Sequence, residues 1–269
     1  MFARLHDKQI YYETHGDGFP LVLLNGIMMS TRSWTPFIEA LSKHYRLILL
    51  DFLDQGQSDK MSESYDHSIQ VDAIFAVLDD LKIETADLVG ISYGAQIALQ
   101  AALKAPKRIR RLVIANAGIA TAKLLAEIGR GWNHVAGEGE AYYYATIPTI
   151  YSPRFYADHL EWMENRKKQL IQIFSDPDFA AAMVRLTNSS ESYNIEAEAE
   201  RIEQPTLVIG SDSDVLTPLS EQRRLVAALP DAELVIIPDC GHASMYEKPA
   251  LFTSLVLGHL AHDQRSFAI

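Results

Sequence analysis

A serine lies between two glycines in Gly90-Ile91-Ser92-Tyr93-Gly94, directly after an apolar run and directly before a long segment rich in small residues. A glycine-x-serine-x-glycine sequence between a strand and a helix is typical of a sharp turn that exposes a nucleophilic hydroxyl. Such a turn strains the backbone of the serine, and glycine two residues to either side removes the collisions that larger side chains would make. We therefore predict that Ser92 is a nucleophile; a tight turn without a catalytic role is the alternative.

A serine hydroxyl needs a base that accepts its proton. The sequence has nine histidines, and His242 is the one that comes directly after the last apolar run, in Pro238-Asp239-Cys240-Gly241-His242. That position predicts a loop at the same sheet edge as Ser92, so we predict that His242 is the base. A structural loop histidine is the alternative. His134 and His159 fall in the predicted cap, where a packed or exposed position is expected and contact with substrate is the alternative.

The base in turn needs an acid that orients it. We expect the acid after the apolar run Leu207-Val208-Ile209, where Asp212 and Asp214 are the candidates. Asp214 is favoured, because Pro218 opens the next helix and leaves Asp214 at the apex of the loop. Asp212 is more typical of a turn or capping residue.

The tetrahedral intermediate of such a reaction needs two hydrogen-bond donors, and the loss of one typically costs about 3 kcal/mol of transition-state stabilisation. The backbone N–H of Tyr93 is predicted to be one donor. The loop after Leu24 begins Asn25-Gly26-Ile27-Met28, and we expect the N–H of Ile27 to be the other. Gly26 allows the backbone to turn towards the reacting carbon. A simple strand-ending turn is the alternative.

Short apolar runs alternate with helix-period segments along most of the chain. The runs predicted as strands are Ile10–Thr14, Leu21–Leu24, Leu47–Leu50, Asp87–Val89, Leu112–Ile114, Leu207–Ile209 and Leu234–Ile237. The segments predicted as helices are Trp34–Lys43, Ser68–Leu81, Tyr93–Lys104, Ser220–Leu229 and Pro249–Leu260. Strands that alternate with helices indicate a parallel sheet covered on both faces.

The alternation stops between residues 119 and 199, where only helical patterns occur, interrupted by glycines and prolines and rich in aromatic residues. We interpret a helical insertion between two strands as a cap over the carboxyl ends of the sheet strands. The predicted core comprises residues 1–118 and 200–269, and the predicted helical cap comprises residues 119–199. The tail from His262 to Ile269 is expected to be loose.

The chain resembles the α/β-hydrolase superfamily over nearly its whole length. The resemblance rests on Asn25-Gly26, Asp51 to Ser58, Gly90 to Gly94, Asp214 to Pro218 and Gly241-His242, and on the chain order serine, acid, histidine. It implies a mostly parallel eight-stranded sheet with helices on both faces and a helical cap. It also implies a serine hydrolase that cleaves a small or medium carboxylic ester, thioester or lactone through an acyl-enzyme. Some proteins with this fold bind ligands without turnover, so a receptor is a further alternative.

Two departures from the common family pattern indicate a smaller branch. Asn25-Gly26 stands where most members carry His-Gly, and Asp54 stands where many carry glycine in Asp-x-x-Gly-x-Gly-x-Ser. The segments Asn25 to Trp34 and Gly56-Gln57-Ser58 are similar to bacterial 3-hydroxyacyl carrier-protein transacylases and hydroxyalkanoyloxyalkanoate synthases. This resemblance implies transfer of an acyl group from a thioester to an alcohol or thiol as an alternative function. We rank hydrolysis first, because a chain of net charge −11 repels acidic carrier proteins.

An apolar acyl pocket is expected beside the nucleophile. Met28, Trp34 and Tyr143 are candidates for its wall, with Asn25 beside them, although such residues are more often part of an ordinary core. The sequence lacks a cluster of cysteine and histidine ligands and lacks a nucleotide-binding glycine motif, so we expect no metal and no cofactor. Cys240, close to the predicted base, is expected to be a buried thiol rather than a nucleophile.

Length and charge limit the remaining function classes. A chain of 269 residues suits one α/β domain with an insertion. Its net charge of −11 argues against binding to nucleic acid or to anionic membranes. A single cysteine rules out an internal disulfide, and the first eight residues lack the apolar segment of a secretory signal. We therefore expect a cytoplasmic protein whose partner is a small-molecule acyl substrate; the oligomeric state is unknown from the sequence.

Overall fold

The computed structural model describes residues 1–261, which form eight strands and eleven α-helices. The strands are β1 (Phe2–Leu5), β2 (Lys8–His15), β3 (Phe19–Leu24), β4 (Tyr45–Leu50), β5 (Ala86–Ile91), β6 (Ile109–Ala115), β7 (Thr206–Ser211) and β8 (Ala232–Ile237). The helices are α1 (Thr35–Ser42), α2 (Ser68–Asp80), α3 (Tyr93–Lys104), α4 (Lys123–His134), α5 (Gly139–Ile150), α6 (Pro153–Asp158), α7 (Leu160–Phe174), α8 (Pro177–Ser189), α9 (Leu219–Ala228), α10 (Ser244–Glu247) and α11 (Pro249–Ala261). Within residues 1–261, none of these helices has the length and apolar character needed to cross a membrane.

All eight strands belong to one sheet, with the order β1-β2-β4-β3-β5-β6-β7-β8. β2 pairs antiparallel with β1 and with β4, whereas every pairing from β4 to β8 is parallel. The predicted mostly parallel eight-stranded sheet is thus confirmed. Because parallel strands all run in the same direction, the loops that follow β3, β5, β7 and β8 lie at one edge of the sheet.

The side chains of each inner strand alternate between two hydrophobic cores, one on each face of the sheet. In β3, Val22 and Leu24 pack into the core that contains α2 and α3, whereas Leu21 and Leu23 pack into the core that contains α1 and α11. All four side chains are buried. Burial on both faces explains why such strands appear in the sequence as continuous apolar runs.

The five predicted helices agree with the structure to within one residue at each end, and α3 begins at Tyr93 and ends at Lys104 as predicted. Strand β1 was missed by the apolar-run criterion. It has four residues at the edge of the sheet, and only Ala3 and Leu5 are buried, which leaves too short an alternation to be recognised. The predicted loose tail, His262 to Ile269, lies outside the described residues.

Helices α4 to α8 lie between β6 and β7, inside the region predicted as the cap. We refer to residues 119–199 as the cap segment. The two ends of the segment meet, because Ala120 and Asn194 form an isolated antiparallel bridge. Side chains also tie the segment to the rest of the protein: Arg185 forms an ion pair with the buried Asp54, and the Ser152 hydroxyl donates a hydrogen bond to Glu247.

Candidate active site

Ser92 lies at the junction of β5 and α3, where the chain turns from strand to helix within one residue. Its φ is 52° and its ψ is −113°, a conformation that a residue with a side chain adopts only under strain. A Cβ atom on Gly90 would lie 2.5 Å from the carbonyl oxygen of Gly94, and one on Gly94 would lie 2.4 Å from that of Leu24. Side chains at these two positions are therefore incompatible with the turn.

His242 and Asp214 approach each other from the loops that follow β8 and β7. Nδ1 of His242 lies 2.9 Å from Oδ2 of Asp214 and 3.1 Å from Oδ1. When Nδ1 donates its proton to the carboxylate, Nε2 is left free to accept one, as a general base requires. Ser92 and His242 line the same cavity. Within residues 1–261 the Ser92 hydroxyl has no hydrogen-bond partner, and catalytic hydrogen bonds of this kind often tighten only when substrate binds.

Asp214 is buried among hydrogen-bond donors. Oδ1 accepts hydrogen bonds from the backbone N–H groups of Leu216 and Thr217, both at 2.9 Å. Oδ2 accepts hydrogen bonds from the Thr217 hydroxyl at 2.8 Å and from Asn116 Nδ2 at 3.0 Å. Burial alone would raise the pKa of Asp214, but the charge of His242 and these hydrogen bonds outweigh it and hold the pKa below its usual value. Asn116 was not among the predicted site residues, although its position directly after the apolar run of β6 is a signal by which a polar site residue can be found.

Asp212, the alternative acid, forms no hydrogen bond or ion pair with His242 in the described part of the chain. Its carboxylate accepts the backbone N–H groups of Asp239 and Cys240 at 3.1 Å and 3.4 Å, which joins the loops after β7 and β8. Cys240 is fully buried, and burial raises the pKa of its thiol to about 12. Since the thiolate is the nucleophilic form of cysteine, this environment keeps Cys240 unreactive.

The backbone N–H groups of Ile27 and Tyr93 belong to residues that line the same cavity as Ser92. Neither group donates a hydrogen bond to another residue in the described part of the chain. Tyr93 begins α3, so its N–H is one of those that a helix leaves unpaired at its amino end, where the helix dipole also favours negative charge. Two unpaired donors beside a nucleophile are what an oxyanion needs.

The cavity encloses about 160 Å³ between the cap segment and the sheet edge that carries Ser92. Much of its wall is apolar and includes Met28, Met29, Leu125, Ile147, Leu170 and Phe174. The cap segment therefore contributes directly to the surface that a substrate of Ser92 would touch.

Two arginines from the cap segment also line the cavity, and they differ in their partners. Arg130 forms ion pairs with Glu127 and Glu191. Arg166 has no carboxylate partner among residues 1–261, and its buried Nε has no hydrogen-bond partner. Its guanidinium instead lies 5.2 Å from the ring of Trp162 and 5.3 Å from that of Tyr246. Arg166 is thus a cation of the cavity wall whose charge is not balanced by a neighbouring carboxylate.

The expected pocket needs correction at three of its four positions, since only Met28 lines the cavity. Trp34 and Asn25 lie in the interior, where Trp34 Nε1 donates to Asn25 Oδ1 at 2.8 Å, and both side chains are fully buried. Tyr143, on α5, is also fully buried, with the ammonium of Lys167 from α7 5.8 Å from its ring centroid. The interior needs bulky side chains of the same types as a pocket wall, so residue type alone could not separate the two locations.

Comparison with known proteins identifies the family. The sequence model of the alpha/beta hydrolase fold matches residues 20–249, so the chain belongs to the α/β-hydrolase fold family. The crystal structure of MGS-M2, an alpha/beta hydrolase enzyme from a Medee basin deep-sea metagenome library, has 48% sequence identity and a TM-score of 0.98, with 100% of both chains covered.

Relatives in the family are hydrolases. The 2-hydroxymuconate semialdehyde hydrolase of Pseudomonas sp. (strain CF600) is 30% identical over 265 residues, which cover 96% of this chain and 90% of that protein. The pimeloyl-acyl-carrier protein methyl ester esterase of Nitrosomonas europaea is 27% identical over 254 residues, which cover 91% of this chain and 97% of that protein. These similarities support a hydrolase activity for this protein.

Proposed function

We propose that the protein is a cofactor-independent serine hydrolase that cleaves a small or medium carboxylic ester, thioester or lactone. The observation that carries the proposal is the 2.9 Å contact between Nδ1 of His242 and Asp214, at the cavity that the strained Ser92 also lines. The hydrolase and esterase relatives support the same reaction class. We also propose a cytoplasmic location, which a single, buried cysteine supports.

In the proposed reaction, Ser92 Oγ attacks the carbonyl carbon while Nε2 of His242 takes the hydroxyl proton. The resulting oxyanion accepts hydrogen bonds from the N–H groups of Ile27 and Tyr93. Its collapse breaks the bond to the alcohol or thiol, which leaves with the proton from His242. A water molecule then attacks the acyl-enzyme by the same route, releases the free acid and regenerates the serine. Asp214 stabilises the imidazolium that forms in both steps.

The unbalanced charge of Arg166 supports a substrate that carries a carboxylate or another anionic group. A hydrogen bond to a charged group contributes roughly 1.5–3 kcal/mol, and the rings of Trp162 and Tyr246 lie beside the guanidinium without neutralising its charge. The cavity has room for on the order of ten water-sized groups, which supports a small or medium acyl group.

Fluorophosphonate labelling and a series of esters and thioesters test the nucleophile. Ser92→Ala is expected to abolish labelling and to lower kcat by at least about 10⁴-fold. Asp214→Asn is expected to lower kcat by roughly 10³–10⁴-fold, and Asp212→Asn is its matched control. Substantial activity of Ser92→Ala on every ester, or a larger loss in Asp212→Asn than in Asp214→Asn, would contradict the assignment.

A pair of esters of equal chain length tests the role of Arg166. Monomethyl adipate carries a free carboxylate and methyl hexanoate does not. We expect Arg166→Gln to lower kcat/KM for monomethyl adipate by about 10–100-fold and to leave kcat/KM for methyl hexanoate within about threefold of the wild-type value. Arg130→Gln removes the same formal charge from the cavity wall, but from an arginine that carboxylates already neutralise. The proposal of an anionic substrate would be refuted if Arg166→Gln lowered kcat/KM equally for both esters, or if Arg130→Gln had the same effects as Arg166→Gln.

Product analysis separates hydrolysis from the alternative functions. Acyl transfer predicts that thioester consumption rises sharply when a hydroxyacyl or thiol acceptor is supplied. Hydrolysis predicts the free acid as the product whatever acceptor is present. A ligand receptor predicts ligand-dependent protein binding with negligible turnover of every ester and thioester in the series.

A further inference from the structure

The oxyanion loop, residues 25–30, follows β3 and has no helix or strand of its own. Inside the loop, the Met29 N–H donates to the Gly26 carbonyl oxygen at 3.1 Å, and the Gly26 N–H lies 3.2 Å from the sulfur of Met29. Thioether sulfur is a weak acceptor. The local contacts are thus one turn hydrogen bond and one weak sulfur contact, and contacts from outside the loop add to what fixes the orientation of the peptide between Gly26 and Ile27.

Gln55, in the loop after β4, touches this peptide from the protein interior. Its Nε2 donates to the carbonyl oxygen of Gly26 at 2.8 Å and to that of Ile27 at 3.0 Å. In a trans peptide the C=O and the following N–H point to opposite sides. Because Gln55 holds the Gly26 carbonyl, the N–H of Ile27 is directed away from Gln55. The same contact keeps two carbonyl oxygens away from the position of a negatively charged intermediate.

The amide of Gln55 is itself held in one orientation. Its Oε1 accepts Asn25 Nδ2 at 3.0 Å and the Phe52 N–H at 3.3 Å. Asn25 is anchored in turn, since its Nδ2 also donates to the Leu50 carbonyl and its Oδ1 accepts Trp34 Nε1. If the oxygen and nitrogen of the Gln55 amide were exchanged, its NH₂ group would face the N–H groups of Asn25 and Phe52. Its oxygen would face the carbonyl oxygens of Gly26 and Ile27, so all of these hydrogen bonds would be lost. The buried network therefore allows one arrangement.

We infer that Gln55, oriented by Asn25, is a positioning residue that directs the N–H of Ile27 at the reacting oxygen. The inference rests on the proposed function, because it requires an oxyanion at Ser92. It gives a role to the buried Asn25, whose amide holds that of Gln55 in place. Gln55 touches neither substrate nor the reacting atoms, and acts through the oxyanion loop.

Two buried glutamines allow a matched test. Gln70 bonds to the same loop after β4, since its Oε1 accepts a hydrogen bond from the Leu53 N–H at 3.0 Å and its Nε2 donates to the Leu53 carbonyl at 3.1 Å. Its other hydrogen bonds go to Tyr65 and to the side chain of Tyr93, and none goes to the oxyanion loop or to the backbone N–H of Tyr93. Gln55→Met and Gln70→Met should therefore destabilise the protein against urea by similar amounts. Only Gln55→Met is expected to lower kcat, by about 10–100-fold with KM within about threefold, since loss of one oxyanion donor costs roughly 10²–10³-fold.

The inhibition constant of an alkylboronic acid reports on the oxyanion donors independently of the free energy of unfolding. The boronate forms a tetrahedral adduct with the serine and places an oxygen between the two N–H donors. Gln55→Met is expected to weaken this inhibition by the same factor as kcat, whereas Gln70→Met leaves it within about threefold of wild type. If Gln55→Met does not fold, Gln55→Glu, which keeps the length but replaces the donor with an acceptor, is measured in its place.

The inference is overturned if kcat and boronate inhibition of a folded Gln55 variant stay within about threefold of wild type, or if Gln70→Met reduces both equally. Ser92→Ala, measured in parallel, separates this failure from that of the proposed function. Activity that survives Ser92→Ala refutes the serine mechanism. Activity that depends on Ser92 but is indifferent to Gln55 refutes only the positioning role.

Discussion

The ion pair between Arg185 of α8 and Asp54 joins the cap segment to the loop after β4. Arg185 Nη2 lies 2.6 Å from Oδ1 of Asp54, and Nε lies 3.0 Å from Oδ2. The Asp54 side chain is fully buried, and that of Arg185 is 16% exposed. Arg185→Met keeps most of the aliphatic volume but leaves the carboxylate buried without its main partner, so we expect a large loss of stability.

The magnitude follows from what remains around Asp54. Removal of one partner from a buried ion pair typically costs about 3–5 kcal/mol. The N–H of Met61 still donates to Oδ1 at 3.0 Å, and the Lys60 ammonium is close enough to attract the carboxylate. We therefore expect a loss near the lower limit, about 3 kcal/mol in the free energy of unfolding.

A second substitution tests the cause of that loss. Asp54 has a φ of 71°, a left-handed conformation that aspartate tolerates and that glycine adopts without steric cost. In the double variant Asp54→Gly/Arg185→Met, neither charge of this ion pair is left buried, and glycine fits the left-handed backbone at position 54. The double variant is expected to unfold within about 1 kcal/mol of wild type, because replacement of both members of a buried pair is often nearly neutral.

Urea unfolding followed by circular dichroism measures these free energies. Arg201→Met is the control, since the side chains of Arg201 and its partner Glu198 are 60% and 52% exposed, and a surface ion pair contributes at most about 1 kcal/mol. A loss below about 1 kcal/mol in Arg185→Met would refute the reasoning. So would a double variant as unstable as the single one.

Three further outcomes follow from buried groups. Burial lowers the pKa of His67 from 6.5 to about 3. Between these two pH values the imidazole is protonated in the unfolded chain but neutral in the folded protein, so the free energy of unfolding decreases as the pH falls from about 6.5 towards 3. The decrease reaches about 2 kcal/mol at pH 5. Urea titrations at pH 7.5 and pH 5 should show that the decrease between the two pH values is smaller by this amount in His67→Phe than in the wild type. Gly94→Ala should lower Tm sharply through its collision with the Leu24 backbone, whereas Gly258→Ala, with open space around its Cβ, should raise stability by up to about 1 kcal/mol. Cys240 should react with a thiol reagent only after denaturant is added, and rapid labelling of the folded protein would contradict its raised pKa.

Local patterns predicted most of the fold. Runs such as Leu21 to Leu24 and Leu47 to Leu50 are apolar throughout because both faces of an inner parallel strand are covered. Helix α3 was predicted to the residue, since the turn at Ser92 sets its start. β1 was missed because a short edge strand buries few side chains. The cap helices could be recognised as helical, but their packing could not be inferred from periodicity.

The sequence by itself determined the strand-turn-helix at Ser92 and the chain order of Ser92, Asp214 and His242, because a glycine turn and the ends of apolar runs are local features. Only the tertiary structure decided which side chains meet at the cavity. Asn25 and Trp34 turned inward to satisfy each other's hydrogen bonds, whereas Arg166 came from the cap to line the cavity. The physical reason is that burial and partner choice depend on contacts between residues far apart in the chain, which no local pattern encodes.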